Sequence, residues 1–205
     1  NQVSGLSRAA TYLINNVNNV RFRDNKLYDF PACAGISFYG DSAGMIVRQS
    51  SAIYITDNEI WRASGDANSE TAFVIAVSCD IAYSRNRHHN VNANFLSFST
   101  FCSNIQVSDN DFDVTGTADH GVIFASDTGQ ADVVIATGVV IARNNFTTRG
   151  NLTTILIYIE GDTAGFKAVG TVITNNTAFA DGTNSVTFIR VNGGAIKTPV
   201  ADNHA

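Results

Sequence analysis

The chain of 205 residues has 18 acidic and 13 basic side chains, a formal charge of −5 and 44% apolar residues, which suits one globular domain and excludes a disordered one. Ile and Val total 37 against 6 Leu, and Asn (22) and Thr (19) far outnumber Glu and Lys at 3 each, so the usual helix formers are too scarce for a mostly helical protein. No apolar run nears the roughly 18 residues of a bilayer span, and three Lys in an acidic chain speak against nucleic acid, whose phosphates demand clustered cations.

In chain order, residues 6–17 carry apolar side chains at 6, 9, 10, 13, 14 and 17, a spacing open to a short helix or an early strand. Residues 1–16 are therefore expected to cap the domain or form a first partial coil, with 17–205 as its body. A start at Asn1 reads as a piece cut from a longer chain. One pattern then recurs: apolar, any, apolar, two mostly polar residues, Asn, any, apolar. It runs from Val20 around Asn25, from Ile53 around Asn58, from Ile81 around Asn86, from Ile105 around Asn110 and from Val139 around Asn144. A weaker copy surrounds Asn176, and Val200 to Asn203 opens another. Successive asparagines stand 33, 28, 24, 34, 32 and 27 residues apart. A constant motif on a variable period means fixed strands joined by unequal loops.

Each motif predicts a short strand with its alternate apolar residues on one face. The Asn falls at a turn, where its side chain can satisfy backbone groups, and asparagines stacked on equivalent turns can bond to one another as a ladder. A second strand is predicted in every repeat, at 35–39, 72–77, 94–98, 121–124, 154–159 and 186–191. Two or three strands in a repeat of about 30 residues, with no helix between them, predict an all-β parallel solenoid. An immunoglobulin-like sandwich would instead need hairpin turns, and the pairs that tight hairpins favour, such as Asp181-Gly182, are too few to separate its strands.

The Ile-x-Ile-x-x-Asn-x-Phe run, followed by Gly-Val-Ile-Phe at 121–124, resembles the repeat of right-handed parallel β-helix proteins. That superfamily includes pectate lyases, polygalacturonases, alginate epimerases and bacteriophage tailspikes. The likeness extends from Val17 to Asn203 and implies a right-handed, single-stranded parallel β-helix, of about seven coils by length over period. Within the superfamily, the Asn/Thr/Ser-rich and Lys-poor composition most resembles a tailspike or tail-fibre domain. That resemblance implies a homotrimer, on a virion tail or outside the cell, that recognises and cleaves bacterial surface polysaccharide. Asp119-His120-Gly121 is similar to the polygalacturonase Gly-His-Gly signature. The accompanying motifs are missing, with Thr154-Ile155-Leu156 where an Arg-x-Lys pair is expected, so His120 reads as a loop residue.

On a solenoid, outward residues at one position of neighbouring coils lie about 4.8 Å apart, so carboxylates at equivalent strand ends can meet around one sugar. Asp127 follows the second strand of one repeat, Glu160 and Asp162 that of the next, and Arg190 lies one coil further. Asp127, Glu160 and Asp162 are the candidate catalytic residues: an acid with a base or nucleophile, about 5 Å apart for retention and about 6.5–9.5 Å for inversion. Asp is common at turns, whereas Glu160 ends an apolar run and is one of three Glu. Trp61, Tyr158 and Arg190 are the candidate substrate-binding residues, since aromatic rings stack on sugar faces. Tyr39 and Tyr54 are further outward candidates.

No metal or cofactor is expected. His88 and His89 are adjacent in a strand and point to opposite sides, so they cannot readily share an ion, and by register His88 replaces an apolar core residue. Cys33, Cys79 and Cys102 lack CxxC spacing and read as buried small hydrophobes. Two alternative functions stand beside the first. One is a secreted polysaccharide lyase or epimerase, with Arg190 or Lys167 beside the acids. The other is a non-catalytic structural β-helix of a virion or adhesin.

Overall fold

A computed structural model of the chain describes residues 2–3, 12–15, 18–30, 36–39, 50–62, 73–76, 78–91, 96–99, 102–116, 121–125, 134–150, 152–161, 167–181, 185–193 and 198–205. Among these residues every regular element is a strand, and every strand pairing is parallel. The chain is an all-β parallel solenoid. The sandwich, which needs antiparallel neighbours, is excluded for the described residues.

Each turn of the solenoid adds one strand to each of three sheets. The first sheet takes the strands before the asparagines: Asn18–Arg23, Ser50–Thr56, Ser78–Ser84, Cys102–Ser108, Val134–Ala142, Val172–Thr174 and Val200–Ala201. Lys167–Val169 joins as a side branch on Val134–Ala142, making eight strands. The second sheet takes the strands after the asparagines, seven in order from Gln2–Val3 through Lys26–Phe30, Glu59–Arg62, Arg87–Val91, Asp111–Val114 and Asn145–Arg149 to Thr177–Asp181. The third sheet holds seven more, Tyr12–Asn15, Ile36–Tyr39, Phe73–Ala76, Leu96–Ser99, Ile123–Ala125, Thr153–Gly161 and Ser185–Gly193. The last six are the second strands expected from sequence. Within residues 1–16, Gln2–Val3 and Tyr12–Asn15 are strands paired to Lys26–Phe30 and Ile36–Tyr39.

The recurring motif is two strands rather than one. The chain bends at the residue before each Asn, where Asp24, Asp57, Arg85, Asp109, Arg143, Asn175 and Asp202 all adopt left-handed backbone with φ between 53° and 59°. A left-handed residue costs of order 1 kcal/mol for a side chain other than Gly, so something at each corner must hold it. The asparagines do so. Each backbone N–H and side-chain Nδ2 of Asn25, Asn58, Asn86, Asn110, Asn144 and Asn176 donates to Oδ1 of the Asn one turn on, at 2.9–3.1 Å. The second Nδ2 hydrogen of each Asn from Asn58 onward reaches a first-sheet carbonyl of the preceding turn, as from Asn110 to Tyr83 at 3.1 Å. Asn25, Asn58, Asn86, Asn110, Asn144 and Asn176 are buried, so the ladder leaves few polar groups unmet inside.

Inside the coil, aligned rows of side chains stack turn on turn. Ile53, Ile81, Ile105 and Val139 form one row, and Ile55, Tyr83, Val107, Ile141 and Ile173 the next. In the second sheet the row runs Leu27, Ile60, His88, Phe112, Phe146. Burying one such side chain fully contributes about 1.5–3 kcal/mol. Each row repeats the gain because parallel register places like on like. Cys102 belongs to this core and Cys79 is half-buried, both as free thiols, while Cys33 lies outside the described residues.

Candidate functional site

Ile157 and Ile159 belong to the core inside the coil, so alternation sets Tyr158 and Glu160 on the other face of the strand Thr153–Gly161. The next third-sheet strand pairs Arg190 with Tyr158 and Asn192 with Glu160. Three of the six residues singled out from sequence thus fall into one contact group on two adjacent turns. The Tyr158 hydroxyl donates to Glu160 Oε1 at 3.0 Å, and Asn192 Nδ2 donates to the same hydroxyl oxygen at 2.9 Å. The Arg190 guanidinium lies 5.0 Å from the centre of the Tyr158 ring, a cation–π contact, and its Nε reaches towards Asn192 Oδ1 at 3.5 Å.

Burial of this group is uneven. Tyr158 is only 4% exposed, Glu160 and Asn192 are half-buried, and Arg190 is open to solvent. The Tyr158 backbone and Cβ abut Gly121, where a Cβ would stand 2.9 Å from that of Tyr158. At φ 95° this position suits Gly alone. Burial first, and then the bond to Glu160, push the Tyr158 phenol above its ordinary range. A phenol that keeps its proton is a fixed donor. Here it fixes the rotamer of the Glu160 side chain. Asp127 and Asp162, the other two candidate acids, lie outside the described residues, as do His120 and the side chains of Tyr39 and Lys167.

Trp61 lies on the outer face of the second sheet, as its place beside inward Ile60 predicts. It is not an open platform. The ring stacks on His89 of the next turn, with centroids 4.6 Å apart and planes 10° apart. His89 Nε2 lies 3.3 Å from Glu59 Oε1, and Glu59 also faces Lys26 Nζ at 3.3 Å. His88 and His89 do point apart: His88 is fully buried, stacked 4.6 Å from Phe112, with Nε2 3.1 Å from the Tyr83 hydroxyl. The strand bulges just beyond, at Asn90 with φ 57°. Beside His89 lies an open hollow of about 270 Å³ lined by two ion pairs, Arg149 with Asp113 at 2.7 Å and Arg87 with Asp111 at 3.8 Å.

Sequence reasoning did not single out Glu59, Asp111 or Asp113, and weighed His89 only with His88 as a shared metal ligand. Their common signal is the second outward position after each Asn and its neighbour, visible only once the motif is split into two strands. Tyr54, at 41% exposure, and Phe179, at 66%, are open aromatic residues among the described ones. Among the described residues no cluster of three or more His, Cys, Asp and Glu could hold a metal ion. No protein-family profile, curated protein or solved structure matches this chain.

Proposed function

We propose that the chain is a tailspike-like receptor-binding domain: a right-handed coil of about seven turns that recognises bacterial surface polysaccharide and hydrolyses it, as a homotrimer on a virion tail or outside the cell. The observation that carries the function is Glu160, a half-buried carboxylate held by the Tyr158 hydroxyl, with Arg190 and Asn192 one turn away. A carboxylate fixed in place by a tyrosine hydrogen bond suits the base or nucleophile of glycoside hydrolysis. In this reading Asp127 or Asp162 supplies the complementary acid, and Arg190 and Asn192 grip sugar oxygens.

Elimination is the second reading, favoured by Arg190. A lyase needs a cation beside the acids to offset charge as a proton leaves the carbon next to a uronate carboxylate, and the guanidinium over Tyr158 is placed for that. Incubation with a panel of capsular and O-antigen polysaccharides separates the readings. Hydrolysis yields shortened chains with new reducing ends and no new ultraviolet absorbance, whereas elimination yields a conjugated double bond that absorbs. Glu160→Gln is expected to lower cleavage at least a hundredfold. A Glu160→Gln protein that cuts at the wild-type rate overturns the site, and a panel left intact by the wild type favours a structural β-helix. Light scattering at three times the chain mass supports the trimer, and a monomer refutes it.

A further inference from the structure

The outer face of the first sheet carries a feature that the solenoid itself does not require. Two outward rows run along it, Arg21–Tyr54–Ala82–Gln106 and Arg23–Thr56–Ser84–Ser108, each in register across four strands. Large side chains on the first two strands give way to Ala82, Ser84 and Ser108 on the next two. The step leaves an open trough of about 540 Å³. Arg21, Arg23 and Tyr54 stand at one end, and Arg85 lines it from the corner.

Charge here runs against the rest of the chain. The protein carries −5 overall, and with 13 Lys plus Arg of which 3 are Lys it has 10 Arg; three of those ten line this one trough, against a single carboxylate, Asp109. Their commitments differ. Arg85 grips Asp57 through Nε and Nη2 at 2.7 and 2.8 Å, which leaves Nη1 facing Ser84 Oγ at 3.4 Å, on the trough floor. Arg23 spends Nε on Asp24 at 2.9 Å, and Asp109 is held by Arg143 in two bonds. Arg21 has no ion-pair partner among the described residues.

We infer that this trough is a binding site for an acidic oligosaccharide, separate from Glu160. Arg21 and Arg23, two residues apart on one face, stand about 6.6–6.8 Å apart along the strand, close enough to converge on a single carboxylate or sulfate. Guanidinium forks match such planar or tripodal anions in paired hydrogen bonds. The open face of Tyr54 stacks on a sugar ring, and Ser84, Ser108 and Gln106 meet its hydroxyls. Small residues on the floor let the chain lie flat along the axis. A duplex nucleic acid is disfavoured because the cations sit at one end of the trough and do not track a backbone.

Fluorescence titration at low salt tests this, with all proteins in the Glu160→Gln background so that no ligand is cut. The probes are hyaluronan oligosaccharides (carboxylate), dextran sulfate (sulfate), neutral dextran and a single-stranded oligonucleotide. Binding of either acidic glycan at least tenfold tighter than dextran supports the site, and the stronger of the two names the anion. Arg21→Gln with Arg23→Gln is expected to weaken that binding at least tenfold, and Tyr54→Ala several-fold. All three positions are exposed or lip residues whose replacement leaves the β-sheet circular dichroism unchanged. Equal binding of dextran, tighter binding of the oligonucleotide, or indifference to the arginine and tyrosine variants each overturns the inference. Because the background lacks Glu160, trough binding and cleavage fail or succeed independently.

Discussion

His88 is the residue at which the core departs most from its own rule. The row above and below it is Ile60, Phe112 and Phe146, and an imidazole replaces a hydrocarbon with no change of shape. Complete burial pushes its titration far below the usual histidine range, and the neighbouring charge of His89 adds to the effect. The folded state therefore refuses a proton that the unfolded chain accepts near pH 6.5. Stability is present above that value and is lost as pH falls, by up to about 1.4 kcal/mol per pH unit. Asp57 and Asp109, held down chiefly by their bonds to Arg85 and Arg143, add a second loss below about pH 4; their exposure to solvent keeps it small. His88→Phe is expected to flatten the urea midpoint between pH 7 and 5 while leaving the loss below pH 4. An unchanged slope would place the acid sensitivity elsewhere. The opposed directions of His88 and His89 follow from strand alternation and were legible in sequence. The stacking of His89 on Trp61 was not, because it depends on cross-turn register.

Among elements, the asparagine ladder dominates. Asn110 takes part in four bonds through its side chain, accepting two from Asn86 and donating to Asn144 and to Tyr83 O. Asn110→Ala strands buried partners on both sides, each costing about 1–3 kcal/mol. A loss of at least ~3 kcal/mol in equilibrium unfolding is expected, where an exposed Asn away from the left-handed positions, such as Asn18, gives within about 0.5 kcal/mol; equal losses would remove the ladder from the folding energetics. All seven ladder positions and the six later third-sheet strands could be read from spacing and alternation alone. The corner that splits the motif could not, because Asp, Arg and Asn occupy the left-handed position and no Gly or Pro announces it. At the candidate site, register correctly set Arg190 one turn beyond Glu160. The near-complete burial of Tyr158 was illegible, since it depends on cross-turn packing against Gly121 and Arg190.

At the scale of the molecule, each turn touches only its neighbours, so stability accumulates turn by turn from the middle outward. Cys102–Ser108 is paired on both sides, to Ser78–Ser84 and Val134–Ala142, whereas among the described residues Val200–Ala201 pairs only with Val172–Thr174. Native-state hydrogen exchange is expected to protect the amides of 102–108 at least a hundredfold more than those of 200–201. Uniform protection would mean one all-or-none unit. The single sense of the asparagine bonds has a wider consequence. Six carboxamides point the same way along the axis, and hydrogen bonds in series polarise one another. The stack is thus a small electric dipole threaded through an uncharged interior, and its two ends differ in potential even where their surface side chains do not.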